Sequence, residues 1–229
     1  PLAKGVIISQ GWSPQCEKEP SMSENDWGVL KTTAIQPGVF LENENKKLPK
    51  QLVPRPQHEV KEGDLLMTCA GPRNRCGVVC LVRKTRKRLM TSGKMYRFRI
   101  NDKIATPEFI EAYLLSQKAW KDIDLMKTGI SDSGLNLTHS KFKKLLIPLP
   151  SVLTQKKIVS KIEELYSELD KGIENLRLVQ QQLKTYRQAV LKWAFEGRLT
   201  NENVQEGELP IGWKIEKLGN VSEMCLGKM

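Results

Sequence analysis

SVLTQKKIVSKIEELYSELDKGIENLRLVQQQLKTYRQAVLKWAFE, residues 151–196, contains no proline and a single glycine, Gly172. Its apolar residues recur in two seven-residue series. Ile162, Leu169, Leu176, Leu183 and Val190 form one; Ile158, Leu165, Gly172, Val179, Tyr186 and Trp193 form the other. The series alternate at steps of four and three, the spacing of a coiled-coil seam. About 40 helical residues at ~1.5 Å rise give a rod of roughly 60 Å. A helix this long cannot bury so narrow a stripe on itself, so it needs a second helix. No other heptad segment exists in the 229 residues, and the partner helix is expected from another copy or another protein.

The stretch before it is different. Residues 1–150 hold 11 of the 12 prolines, a density that forbids long helices. Short β-like runs stand out at 29–33, 64–68, 78–82 and 95–100. One helix is predicted from Pro107 to about Trp120, with Thr106 as N-cap, Pro107 in the first turn and Glu108 as an early acid. The fold class is therefore α+β: an irregular domain over 1–150, then a long coiled-coil helix over 151–197 that Gly197 stops. A polar linker covers 198–208. Residues 209–229, opening Leu209-Pro210-Ile211-Gly212-Trp213, look like the start of a new folded unit that ends too soon to complete itself.

Charge points to a partner. Lys and Arg number 37 against 26 Asp and Glu, a net +11 with a pI near 9.4, a balance that suits a polyanion. The content of 39% hydrophobic and 28% charged residues excludes a fully disordered chain. From Leu65 to Asn101 there is no acid, while Arg73, Arg75, Arg83, Lys84, Arg86, Lys87, Arg88, Lys94, Arg97 and Arg99 all lie there. The bland alternative is a solvated basic hairpin over 83–88. Arg, Asn, Ser and Thr on ordered loops can read base edges, and residues 71–75 and 129–134 have that composition, although each is also an ordinary turn. The candidate base contacts are Arg73, Asn74, Arg75, Lys94, Ser131, Asp132 and Ser133, with Trp12 and Gln15 behind them. The candidate phosphate contacts are Lys84, Arg86 and Lys87. The candidate coiled-coil interface is Ile158, Ile162, Leu165, Leu169, Leu176, Val179, Leu183, Tyr186 and Val190.

No catalytic set is visible. Gly227-Lys228 lacks the rest of a P-loop. His58 and His139 sit in separate loops without a Ser or Cys pattern that makes a nucleophile–base pair; His139 is expected to cap or pack against a helix start. Glu163-Glu164 falls on the coiled coil, where solvated charge is the default. Cys69, Cys76 and Cys80 with His58 form a poor match to zinc spacings. The odd number of cysteines, five, speaks against a disulfide framework. No apolar run reaches the ~18–20 residues of a membrane span, and no signal peptide is seen at the start, so a reducing cytoplasm is expected and a membrane partner is not.

The order of segments is similar to that of a known family. Leu145-Leu146-Ile147-Pro148-Leu149-Pro150 closes the basic domain. Gln155-Lys156-Lys157-Ile158-Val159, Ile162-Glu163-Glu164-Leu165 and Leu169-Asp170 open the heptad helix. Residues 191–199 (LKWAFEGRL), Leu209-Pro210-Ile211-Gly212-Trp213 and Leu218-Gly219 follow. Together with Asp26-Trp27-Gly28-Val29-Leu30-Lys31, Gly63-Asp64-Leu65-Leu66 and Gly134-Leu135-Asn136-Leu137, this closely resembles the specificity subunit of type I restriction–modification systems. The resemblance implies a target recognition domain that reads half of a split sequence in double-stranded DNA, and helices that fix the gap. It also implies docking of modification subunits, which bind S-adenosylmethionine and methylate adenine N6; the specificity subunit itself binds no cofactor and catalyses nothing. A restriction subunit can join. The family carries two recognition domains and two helices where this sequence has one of each, so a homodimer through antiparallel helices is expected, with residues 209–229 able to complete the partner's domain. The rival classes are a free-standing DNA-binding regulator, a scaffold that binds no DNA, and a hidden endonuclease.

Overall fold

A computed structural model describes residues 6–201, 203–223, 225 and 227. Along them run β1 (Val6–Gln10), β2 (Gly28–Leu30), β3 (Ile35–Gln36), β4 (Val39–Phe40), β5 (Asn45–Lys47), β6 (Leu65–Thr68), β7 (Ala70–Gly71), β8 (Val79–Leu81), β9 (Leu89–Met90), β10 (Met95–Ile100), α1 (Pro107–Leu114), α2 (Gln117–Met126), β11 (Lys127–Thr128), β12 (Leu135–Leu137), α3 (His139–Phe142), α4 (Val152–Phe195) and α5 (Leu218–Val221). This is an α+β fold with one long helix.

The apolar runs of β6 and β8 are buried at every position, as strands are when both faces of their sheet are covered. The sheet has the order β1-β10-β6-β8, antiparallel throughout. Leu65, Met67, Val79, Leu81, Tyr96 and Phe98 face one cluster, with Phe109, Ile110 and Leu114 of α1 and Phe142 of α3. Leu66, Cys80 and Met95 face a second, with Leu30, Ile35, Val60 and Leu89. The strands expected at 29–33, 64–68, 78–82 and 95–100 are thus present, shortened by one or two residues except the last, the first of them starting at Gly28.

The helix expected from Pro107 to Trp120 is two helices. Thr106 caps α1, accepting from the Phe109 N–H at 3.3 Å. Ser116 then adopts extended backbone and caps α2, accepting from the Ala119 N–H at 3.2 Å. The apolar periodicity runs through this break, which the serine cap makes. His139 packs rather than caps: its ring lies 5.6 Å from that of Tyr96.

The chain divides into two compact units, residues 1–163 and 164–229, so the first turns of α4 belong to the domain. Ser151 accepts from the Thr154 N–H at 3.3 Å. Gln155 is fully buried. Its Oε1 accepts from the Thr106 N–H at 2.9 Å, and its Nε2 donates to the carbonyls of Ile104 (3.0 Å) and Pro150 (2.8 Å). Val159 packs against the core one turn later.

In the second unit α4 leaves Leu165, Leu169, Leu176, Val179, Leu183 and Tyr186 exposed. It ends at Phe195, and Gly197 follows with φ +73°, which suits a residue without a Cβ. Arg198 N–H donates to Trp193 O and Gly197 N–H to Ala194 O, a Schellman closure. A Cβ on Gly197 would stand 2.0 Å from Pro210 Cγ. Lys192 Nζ reaches Glu206 at 2.6 Å. Ile211, Trp213, Ile215, Leu218 and Val221 are exposed. Of the 209–229 segment, Met224, Leu226, Lys228 and Met229 lie outside the described residues, as do Pro1 to Gly5.

Gln155→Ala leaves a buried N–H and two carbonyls without partners. Urea titration is expected to show a loss of about 3 kcal/mol or more from the domain's stability, since each of the three orphaned groups costs roughly 1–3 kcal/mol.

Candidate nucleic-acid interface

The turn at 71–75 and the loop at 129–134 are far apart in sequence and adjacent in space. β7 pairs with β12, Gly71 opposite Leu135, and β12 pairs with β11. The chain leaving Gly71 and the chain entering Leu135 therefore emerge at one end of a three-stranded sheet. The Arg73 N–H donates to Asp132 O at 2.8 Å. Arg73 Nε donates to Asp132 Oδ1 at 3.0 Å and its Nη1 to Asp124 Oδ2 at 2.6 Å. Two residues chosen from separate loops thus form one unit, while Arg73 Nη2 has no partner among the described residues.

The unit rests on groups the sequence reading missed. Lys127 Nζ donates to Asp124 Oδ1 at 2.8 Å and to Arg73 O at 2.9 Å. It lies 4.4 Å over the Trp120 ring, its side chain only 1% exposed. The Lys127 ammonium, more than Arg73, holds the Asp124 carboxyl below its ordinary range. Hydrogen bonding to Asp132 is the chief cause that raises Arg73. The missed signal is Trp120, Asp124 and Lys127 at i, i+4 and i+7, one face of α2 carried on to its C-cap residue. Backbone anchors complete the turn: Thr68 Oγ1 donates to Arg75 O, Cys76 N–H to Pro72 O at 2.9 Å, and Gly77 N–H to Thr68 O at 2.7 Å. Gly77 has φ +93°, and a Cβ there would meet Ile123 Cγ2 at 2.8 Å.

Pro72, Arg73, Asn74, Trp120, Asp124 and Asp132 line a shallow groove. Asn74, Ser131 and Ser133 are exposed beside it, the two serine hydroxyls 2.9 Å apart. Arg75 turns inward: Nη2 donates to the carbonyls of Thr32 (2.7 Å) and Ile35 (2.6 Å), and Nη1 to Gln36 Oε1 at 3.1 Å. Arg86 does the same, donating to the carbonyls of Ser21, Ser23, Asp26 and Lys87; burial is the main cause that lowers it. Both guanidinium groups are used inside the domain and hold loops in place. Trp12 packs on Val29, Leu48 and Met90 with the Arg55 guanidinium 4.2 Å above its ring. Gln15, Lys84, Lys87 and Lys94 are exposed.

The acid-free window is compensated from outside itself. Glu111 takes Arg83 at 2.7 Å, Asp64 takes Arg99 at 3.2 Å, and the backbone at Asn25 takes Arg88. Of the ten cations, Lys84, Lys87 and Lys94 carry no acid partner and no side-chain hydrogen bond among the described residues.

The sheet separates the cysteines of the zinc alternative. Cys69 and Cys76 face one cluster and Cys80 the other, so they cannot share an ion. Burial pushes the Cys69 and Cys80 thiols up to about 12. Among the described residues no group of three His, Cys, Asp or Glu is placed to hold a metal, and no helix is long and apolar enough to cross a membrane.

Residues 16–177 match the family described as type I restriction modification DNA specificity domain. The chain is 42% identical over 180 residues to the specificity subunit of the type I restriction enzyme EcoEI of Escherichia coli, covering 77% of this chain and 30% of that one. It is 26% identical over 209 residues to the EcoKI specificity subunit of Escherichia coli strain K12, covering 87% and 44%. The fold is similar to that of the HsdS subunit from Thermoanaerobacter tengcongensis, with a TM-score of 0.52 at 19% identity over 92% of this chain and 52% of that one. The chain spans 30 to 48% of the length of the curated relatives it matches.

Asp124→Ala is expected to free Arg73 Nη1 and Lys127 Nζ from their shared carboxylate and to weaken the hydrogen-exchange protection of the Arg73 amide. Because the folded Asp124 pKa is depressed, its contribution is present above the unfolded value of about 4 and is lost as pH falls through the folded pKa. Asp124→Ala should therefore be less stable than the parent at pH 7 and approach it in strong acid.

Proposed function

Because the chain belongs to the family of type I restriction modification DNA specificity domains, we propose that it reads one half of a split DNA target for a type I restriction–modification complex. The observation that carries this reading is the joined pair of turns, 71–75 and 129–134. They present Arg73, Asn74, Ser131, Asp132 and Ser133 on one ordered edge. Two carboxylates hold the Nε and Nη1 of Arg73, and the free Nη2 edge is left for a base; an arginine oriented in this way suits a guanine edge. Lys84 and Lys87 are proposed phosphate contacts, which position the protein without reading sequence.

The long helix is proposed to dock the modification subunits, with S-adenosylmethionine and the adenine-N6 chemistry on those subunits and no catalytic step on this chain. A restriction subunit joins the same assembly, in the cytoplasm. The exposed heptad seam supports an antiparallel homodimer of this chain, which would bring two half-site readers together as two-fold symmetry requires. The exposed apolar residues of the 209–221 segment suit its exchange onto the partner's domain.

Methylation mapping of cells that express this chain with the modification subunit of its own genome tests the reading. N6-methyladenine in a split palindrome is expected. Absence of methylation with a demonstrably active modification subunit would overturn the DNA-recognition reading, and a motif with unlike halves would overturn the homodimer. In the same assay Arg73→Ala should relax one target position, at a cost of about 1–3 kcal/mol, whereas Lys87→Ala should weaken all sequences alike.

Leu169→Asp places a carboxylate in the seam. Analytical ultracentrifugation is expected to find the parent as a dimer and the variant as a monomer.

A further inference from the structure

A second cleft lies away from the Arg73 groove. Lys31, Lys46 and Lys94 converge on it with the hydroxyl-bearing residues Ser13, Thr32 and Ser92. Lys31 has a partner, Glu44, at 3.5 Å. Lys46 and Lys94 are exposed and have no carboxylate partner among the described residues. The acids nearby are Glu44 and Glu17, and Glu44 also accepts from Thr33. Lys46 is close enough to the Cys16 thiol to oppose the rise that burial causes there.

The wall of the cleft is fixed before any ligand arrives. The Gly93 N–H donates to Ser13 Oγ at 2.9 Å, and the Trp12 N–H to Thr91 O at 3.0 Å. Gly11 approaches so closely that a Cβ would stand 2.1 Å from Thr91 O. The cleft shares no lining residue with the base-reading turn, but hydrogen bonds link the two. The Cys69 N–H donates to Lys94 O at 2.9 Å just before β7, and Arg75 ties that turn to Thr32 O.

Ammonium and hydroxyl donors around an open cleft suit the non-bridging oxygens of a phosphodiester, which a polymer backbone can pass through without being enclosed. We propose that this cleft holds one DNA-backbone phosphate, with Lys46 and Lys94 as its cationic ligands. Lys94 then positions the DNA and does not read a base. The proposal rests on the DNA-recognition reading above.

The test measures binding of the full chain to a mixed-sequence DNA duplex by fluorescence anisotropy, over about 50–200 mM salt. The double variant Lys46→Ala/Lys94→Ala should lower the slope of log K against log salt by about 0.9, the loss of one phosphate contact. Lys46→Arg/Lys94→Arg should keep the parent slope. Lys103→Ala, beyond the other end of β10, should keep it too. An unchanged slope in the double alanine variant, or an equal fall in Lys103→Ala, overturns the cleft assignment and leaves DNA recognition standing. A parent chain with no salt-dependent DNA affinity overturns both. All the lysines replaced are exposed, and a circular dichroism spectrum matching the parent's checks that each variant is folded.

Discussion

A sheet covered on both faces admits no unpartnered charge, yet β10 carries Arg97 into it at 6% exposure. The guanidinium is accommodated by the segment before β6. Nη1 donates to Glu59 O and Nη2 to Gln57 O at 2.8 Å, while Nε faces Asp64 at 3.8 Å. Asp64, itself buried, also takes Arg99 and the Lys61 N–H. Removing Asp64 would leave the buried Arg97 charge without a carboxylate, which costs several kcal/mol. Residues 57–64 are thereby drawn against the sheet, and they in turn hold β9. Val60 N–H donates to Leu89 O, Thr91 N–H to His58 O, and Arg88 N–H to Glu59 Oε1. β9 pairs with β2 and β2 with β5. Through Arg97 the second sheet, with the lysine cleft at its edge, gains a polar tie to the first beside their shared apolar core.

That arrangement explains why the charge pattern was only partly legible in sequence. A window of ten cations without an acid suggests a bare basic face. Folding brings Asp64, Glu111, Asp124 and Asp132 to it from outside the window, and carbonyls take Arg75, Arg86 and Arg88. Most of the arginines are structural for this reason, and the unpartnered positive charge falls on lysines. Composition names the residues, but pairing depends on contacts across sequence separations that no local pattern records.

The fold was more legible. Continuous apolar runs at 65–68 and 79–81 mark strands buried on both sides, and the heptads mark α4 to its glycine stop. β7, β11 and β12 were not legible as strands, being two or three residues long and defined by pairing alone. They are the elements that bring the two candidate turns together. The break at Ser116 was hidden because apolar spacing continues through it, and only the serine's cap marks the change of helix.

The turns at 71–75 and 129–134 are held largely by main-chain atoms. The carbonyls of Pro72, Arg73, Arg75 and Asp132 take the bonds that anchor them, from Thr68, Cys76, Lys127 and the Arg73 amide. Such bonds are indifferent to the side chain carried at the same position. Asn74, Ser131 and Ser133 stand outside this scaffold and outside the core, so drift at these sites carries little cost in folding. A lineage of such chains can change its outward-facing side chains by single substitutions while the loops keep their shape, which makes the edge a surface on which new preferences can arise without passing through unfolded ancestors.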